Sequence, residues 1–336
     1  MIRLNNPETI DKSAIQKEVL SGQVVTVQFS DAQYYGGDVL ATINELCEGL
    51  NENLCVRFYG HYEDGFDCAH LKNLPFVKNL ELNCLSAVEN FDTLRQLEHL
   101  KRLNVGVFEL DEIEFLSWPN LRNISDLCLS ESRKNNIDLK FLSAFDKLTT
   151  LFLNGHVKNI EAVGKLSKIT ELSLSVTSKA SIAFLNQLPR LRKLRLILGG
   201  RENLDEVENY KIEELEIVRV KGFNGFKNLR KFINLRRLLI EDQIQIKSLD
   251  FANKLKELEE VRLINCKGLE SVTGLSHLQK LDSVRIYKTN INFEEFMKQG
   301  LPDSLRIFAF YTTKKSLDAS IKHRLTALGY ADGLPH

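Results

Sequence analysis

The side chains able to do chemistry lie scattered along this chain. Among seven histidines and six cysteines, the one close group is His61, Cys68 and His70. A tetrahedral zinc site needs a fourth ligand and usually draws its ligands from C-x-x-C or H-x-x-x-H pairs, spacings this sequence lacks. The glycine pairs Gly36-Gly37 and Gly199-Gly200 are not followed by Lys-Ser or Lys-Thr, so neither reads as a phosphate-binding loop. There is no Gly-x-Ser-x-Gly elbow, and His156 and His277 fall at different places in their surroundings. The residues therefore predict no enzyme, no metal and no cofactor. Cys47, Cys55, Cys68, Cys84, Cys128 and Cys266 follow no paired spacing and read as reduced thiols, most of them small core residues.

What remains is a protein that acts by presenting a surface. Its 336 residues carry 45 basic and 45 acidic side chains, which argues against nucleic acid as the partner. A 43% apolar fraction with only 18 glycines and 6 prolines fits a folded chain with a large core. The start, Met1-Ile-Arg-Leu-Asn-Asn-Pro-Glu, shows no positive segment leading into a long apolar run, and no membrane-spanning stretch follows. The expectation is a cytoplasmic protein without a membrane partner. Residues 1–75 hold 11 acidic and 5 basic side chains, leaving 34 and 40 in the rest. The charge is thus weakly polarised along the chain.

Leucine, at 54 of 336 residues, points to a repeated packing unit. One pattern occurs eleven times: an aliphatic residue, two variable positions, a second aliphatic or aromatic, one variable position and a third. The copies run from Val77, Leu80, Leu82 to Leu305, Phe308, Phe310, and their middle residues are Leu80, Leu103, Leu127, Leu151, Leu172, Leu194, Leu215, Leu238, Val261, Val284 and Phe308. These fall 21 to 24 residues apart. The last two apolar residues of each copy are separated by one, the period of a strand with one buried face. Further apolar positions, such as Ile113, Phe115 and Leu116, line a return path, so each unit is a coil that must stack on its neighbours.

The pattern resembles the leucine-rich repeat family over roughly residues 54 to 313. The resemblance implies an α/β solenoid, a curved right-handed coil with a parallel concave sheet, capped at both ends, that works by binding protein. It departs in one respect: the asparagine common three residues after the third aliphatic is replaced by Leu85, Phe108, Ser132, His156, Thr177, Val220, Cys266, Thr289 and Thr313, among others. Cysteine and threonine can still bond to backbone there, but Leu85, Phe108 and Val220 cannot, so the coil is expected to be irregular near them.

One continuous solenoid is expected, with residues 1–75 as an amino-terminal cap and longer strand-helix units, 76–313 as the repeats and 314–336 as a helical cap. At the amino end Val25, Val27 and Phe29 read as a strand, Val39, Ile43, Leu46 and Leu50 as one helical face, and Leu54, Val56 and Phe58 as a second strand; this longer unit resembles the ribonuclease-inhibitor type of repeat. At the carboxyl end Ser316 is the expected cap of a helix whose Leu317, Ile321, Leu325 and Leu328 share a face, with Gly329 as its stop.

Strand neighbours alternate faces, so the residues between and after the strand aliphatics point away from the core. On this second row Asn83, Gly106, Ser130, Asn154 and Ser175 are small and polar, whereas Ile197, Val218, Ile264, Tyr287 and Tyr311 are apolar or aromatic, broken only by Glu241. With Arg195, Glu216, Leu239, Arg262 and Arg285 beside them they compose a protein-binding patch. Lys193, Glu214, Arg237 and Glu260 form an alternating ladder that suffices to stabilise the sheet, and Arg195 has Glu216 to pair with. Arg262 and Arg285 have no acid between them, which suggests an acidic or phosphorylated group on the partner. A second candidate surface is the acidic stretch Gly60 to His70, with Tyr62 and Phe66, and the shorter Ser132 to Asn136.

The expectation is a non-enzymatic protein-interaction module, monomeric alone. Its leading form is a cytosolic stoichiometric inhibitor or immunity protein that clasps a protein such as a toxin in its concave face. The alternatives are a scaffold or adaptor that recruits without blocking, and a secreted effector.

Overall fold

The computed structural model describes residues 1–63, 65–130, 132–133, 137–175, 179–251 and 254–333. The chain divides into two compact units, Met1–Ile169 and Thr170–His336. In each, every coil contributes one short strand to a parallel sheet and returns behind it. The cause is the repeat itself: all three aliphatic positions of all eleven copies are 3% exposed or less. At 0.8 kcal/mol or so per buried methylene, this apolar seam is the main force holding the coils together.

In Met1–Ile169 the strands Ile2–Asn5, Val25–Phe29, Leu54–Gly60, Asn79–Leu85, Arg102–Val107, Asp126–Leu129 and Thr150–Asn154 pair in that order. The Ile2–Asn5 strand and the helix Lys12–Leu20 lie outside what the apolar pattern announced. The strand pairs in register with Val25–Phe29, and Asp11 caps the helix by accepting the Ala14 amide at 3.0 Å. The helix Gly37–Gly49 buries Leu40, Ile43, Leu46 and Cys47. Val39 is only half-buried, so the face sits one residue further round than expected.

In Thr170–His336 the strands are Glu171–Ser175, Lys193–Ile197, Glu214–Val218, Arg237–Glu241, Glu260–Ile264, Ser283–Tyr287 and Ile307–Tyr311, again paired consecutively. After five of them the chain turns through a left-handed residue, Leu198, Arg219, Asp242, Asn265 and Lys288, with φ between 54° and 60°. Each donates its amide to the next strand, from Leu198 to the Val218 carbonyl at 2.9 Å through Lys288 to Tyr311 at 2.7 Å. Extending the ladder by one bond per coil offsets the cost of left-handed backbone in a residue with a Cβ.

The return paths are mostly single 3₁₀ turns, such as Phe91–Gln96, Ile160–Lys165 and Ala183–Gln187. Coils of 21 to 24 residues leave little chain for an α-helix, and among the described residues of the repeats one coil holds a short one, Phe293–Lys298, capped by Asn292. Polar side chains tie one return path to the next. Asn209 donates to the Leu185 and Leu188 carbonyls, Asn228 to Leu204 and Val207, and Ser304 to Leu278 and Leu281.

The final helix, Lys315–Ala327, buries Ile321 and Leu325. Leu317 and Leu328, expected on the same face, are exposed. Ser316 is inside the helix rather than its cap: Lys314 holds the cap position, and Asp318 satisfies the turn by accepting from the Thr312 and Thr313 amides at 2.7 and 3.0 Å. Gly329 stops the helix at φ 91°. The chain then doubles back so that Ala331 pairs with the outer edge of the Ile307–Tyr311 strand, which protects an edge that would otherwise be open to pairing.

Candidate protein-binding face

The outward rows of the Thr170–His336 sheet fall in the predicted register. Arg195 is opposite Glu216, then Leu239, Arg262, Arg285 and Ala309 follow strand by strand. The next row runs Ile197, Val218, Glu241, Ile264, Tyr287, Tyr311. Ile197, Val218, Leu239, Ile264 and Tyr287 are each half-buried. Together they form an apolar stripe on the outward rows, partly open to water and broken by Glu241.

Most charges on this face pair with one another. Lys193 bonds Glu214 at 3.0 Å and Glu216 at 3.2 Å, Arg195 bonds Glu216 at 3.0 Å, and Arg237 bonds Glu214. Burial by itself would push the Glu214 carboxyl up, but hydrogen bonds from Arg237 and Lys193 hold it below the usual range. A second ladder, absent from the sequence reading, lies one residue earlier: Arg192 bonds Glu213 at 2.9 Å and Arg236 bonds Glu259 at 2.6 Å. Its signal was available, because Arg192, Glu213, Arg236 and Glu259 occupy the same position in successive repeats.

The pairing corrects one expectation. Arg285 is not a free cation, since its guanidinium bonds the Glu260 carboxylate and the Gly333 carbonyl. The acid comes diagonally from the neighbouring strand, and the carbonyl from the returning carboxyl-terminal segment. Tyr311 is likewise engaged, its hydroxyl donating to Asp332, which also pairs with Lys322 at 2.8 Å. Ala309 is buried. Arg262 alone in its row is exposed, and it has no ion-pair partner among the described residues. Open for contact are therefore Ile197, Val218, Leu239, Ile264, Tyr287 and Arg262.

A scan against protein-family models finds no match. The chain is 25% identical over 305 residues to Myosin type-2 heavy chain 1 of Schizosaccharomyces pombe, covering 84% of this chain but spanning only 18% of that protein's length. Among solved structures, a leucine-rich repeat protein of Leptospira interrogans aligns over 72% of this chain and 74% of its own at 19% identity and a TM-score of 0.42. An internalin (inlF) of Listeria monocytogenes aligns over 86% of this chain and 79% of its own, at 16% identity and a TM-score of 0.56. The fold is that of a leucine-rich repeat solenoid.

Within that fold, the position held by asparagine in many leucine-rich repeats is served by other groups. The buried His156 ring bonds the Ser130 carbonyl at 2.8 Å, Gln243 the Glu241 carbonyl at 3.1 Å, and the Cys266 thiol the Ile240 and Ile264 carbonyls at 3.5 and 3.4 Å. The expected irregularity is present near Leu85 and Phe108, whereas the Glu214–Val218 strand before Val220 keeps its register with both neighbours. Phe108 is exposed while Val107 turns inward, and the strand register shifts between Asn83 and Leu85. Thr177 lies outside the described residues.

The leucine-rich repeats of Met1–Ile169 present a different face. Arg57 donates to Asn83 at 2.6 Å and Gln28 at 2.9 Å and stacks on Tyr59, and Gln28 donates to Asn5 at 3.2 Å. This network ties the first four strands of the unit to one another. In the acidic stretch Tyr62 is exposed, but Phe66 is fully buried and stacks on Phe58 with ring centroids 4.5 Å apart. Phe66 is thus a core residue rather than a contact: it fills the space between Tyr35, Phe58 and His61. Asp64 in this stretch, and Lys134, Asn135 and Asn136 in the shorter one, lie outside the described residues.

His61 is occupied too, with one ring nitrogen on the Tyr35 hydroxyl at 3.1 Å and the other on the Tyr59 carbonyl at 2.7 Å. Among the described residues no three His, Cys, Asp or Glu side chains converge on a point where an ion could sit. Burial pushes the Cys47 and Cys128 thiols up to about 12 and Cys266 to about 11, with Cys55 and Cys68 also raised. These five are protonated at neutral pH and poor nucleophiles.

Proposed function

We propose that this chain is a non-enzymatic protein-binding module that holds a protein partner against the open sheet face of Thr170–His336. We propose further that it is monomeric alone, resides in the cytoplasm, and acts as a stoichiometric inhibitor of the immunity-protein kind. The observation that carries the reading is the stripe of Ile197, Val218, Leu239, Ile264 and Tyr287 beside the unpaired Arg262. Apolar and aromatic side chains left half-open in a line, ringed by charges that already satisfy each other, favour burial by another protein. The unpaired Arg262 next to Tyr287 suits a carboxylate or phosphate on that partner.

The test is affinity capture from the native cell with wild type and the Arg262→Ala, Tyr287→Ala double variant. The expected result is one stoichiometric partner, lost in the variant, with thermal stability nearly unchanged because neither side chain has a polar partner to orphan. A double variant that unfolds would make these residues structural. A sub-nanomolar complex that silences the partner's activity supports inhibition, whereas micromolar exchange with several active partners would replace inhibitor by scaffold.

A further inference from the structure

The two charge ladders of the Thr170–His336 sheet stop at the same place. Along the first, the sign alternates through Arg192, Glu213, Arg236 and Glu259, and the next coil should supply a cation. It supplies Asp282. Along the second, Lys193, Glu214, Arg237 and Glu260 are followed by Ser283 instead of a base. A groove of about 590 Å³ opens there, lined by Glu259, Glu260, Lys280, Asp282, Ser283 and Arg285 among others.

Each other charge named here is matched. Lys280 bonds Glu257 at 2.6 Å, Glu259 bonds Arg236, and Arg285 bonds Glu260. Asp282 is exposed and has no ion-pair partner among the described residues. The adjacent Arg306 does not serve it, because its guanidinium donates to the Asp303 and Leu305 carbonyls at 2.6 and 3.3 Å. Ser283 adds a second, independent sign of a missing group: the residue is 5% exposed, and its Oγ has no hydrogen-bond partner. A buried hydroxyl without a partner is costly, and natural structures keep one where something else satisfies it.

We infer that this groove receives an arginine side chain from the protein partner, whose guanidinium bonds the Asp282 carboxylate and the Ser283 Oγ and completes the interrupted ladder. The inference rests on the protein-binding reading and deepens it by naming a contact. A guanidinium fits better than a point charge. It offers several N–H donors in a planar fork, so one group can bond the open carboxylate and, as the side chains covering Ser283 part, the buried hydroxyl too. The other charges that line the groove, Arg237, Glu259, Glu260, Lys280 and Arg285, are each already paired, so Asp282 is the carboxylate left open to it.

The test is a titration of the isotope-labelled full chain with L-argininamide, followed by the amide resonances of residues 282–285. The expected result is saturable shifts confined to the groove. The neutral isostere L-citrullinamide binds roughly fivefold more weakly or less, and Asp282→Asn weakens argininamide to a similar degree. Asp282→Arg, which supplies the missing cation from the chain itself, abolishes the shifts. Equal shifts with citrullinamide, no loss in Asp282→Asn, or the same resonances moving as far with magnesium chloride would overturn the inference. No partner is needed, so the titration can fail while capture through Arg262 and Tyr287 succeeds, and the reverse; the two failures are distinct.

Discussion

Removing the Asp138 carboxylate should loosen the Met1–Ile169 unit by an amount the local bonds set. Asp138 is 1% exposed and begins the 3₁₀ turn Leu139–Ala144. Its carboxylate accepts the Lys140 amide at 3.0 Å and the Asn159 side chain of the next coil at 2.7 Å, and it pairs with the ammonium groups of Lys140 at 3.1 Å and Lys158 at 3.4 Å. Burial alone would push this carboxyl up, but those hydrogen bonds outweigh it and hold Asp138 well below the usual carboxylate range. Two charge-assisted bonds at about 1.5 to 3 kcal/mol each, less the relief of a buried charge, put Asp138→Ala at about 3 to 4 kcal/mol. Asp67 makes the same two bonds, to the Ala69 amide and Asn90, without a lysine bonded to it, and it is more exposed. Asp67→Ala should cost about 1 to 2 kcal/mol. A folded pKa below the unfolded value gives stability that is present above the unfolded pKa and lost as pH falls toward the folded one. The gap between wild type and Asp138→Ala should therefore narrow by about 1.3 kcal/mol at pH 3. Urea unfolding followed by circular dichroism at pH 7 and pH 3 measures both quantities. A cost under 1 kcal/mol at pH 7, or a gap of constant size, would refute the reasoning.

Two further changes test the local physics. Leu198 is left-handed at φ 60° and exposed, so Leu198→Gly should stabilise by about 0.5 to 1 kcal/mol, and a lower thermal midpoint would mean that its side chain makes a contact worth more than the strain. Burial lowers the pKa of His61; the unfolded chain then binds its proton first, and stability should fall as pH drops through about 6.5 toward the folded value. His61→Gln should flatten that fall between pH 7 and 5, and an unchanged slope would place the titrating group elsewhere.

The repeat was legible because one constraint, a buried aliphatic triplet, acts eleven times at nearly the same spacing, and a strand with one buried face leaves a period no composition bias imitates. What stayed hidden is what occurs once. The Ile2–Asn5 strand has only two inward side chains, too few to show a period. The carboxyl-terminal return that ties Gly333 to Arg285 and Asp332 to Tyr311 involves pairs 48 and 21 residues apart that no local pattern links. Phe66 looked like a surface aromatic because it sits in an acidic stretch, yet a chain rich in charge still sends its aromatics inward when Tyr35, Phe58 and His61 leave space to fill. The second ladder was readable and missed, since one row of alternating charge seemed to satisfy the sheet.

That second ladder changes what the face can say to a partner. Had the charges been free, a large partner could meet them in many registers, each worth a little. Because Lys193, Arg195, Arg236 and Arg237 are held by acids on adjacent strands, they present a nearly neutral frame. The groups left without an ion pair among the described residues are few and of both signs: Glu241 at the end of the Arg237–Glu241 strand, Arg262 on the Glu260–Ile264 strand, and Asp282 just before the neighbouring Ser283–Tyr287 strand. Electrostatic complementarity fixes register and excludes wrong partners more than it adds affinity. On the proposed reading, a cation and anions on adjacent strands are keyed points around the apolar side chains: a partner would bring an acid and a base in one relative placement, and reversing it on the face would set like charges against each other. In the proposed complex the stripe would supply the affinity, and the unpaired charges would choose who receives it.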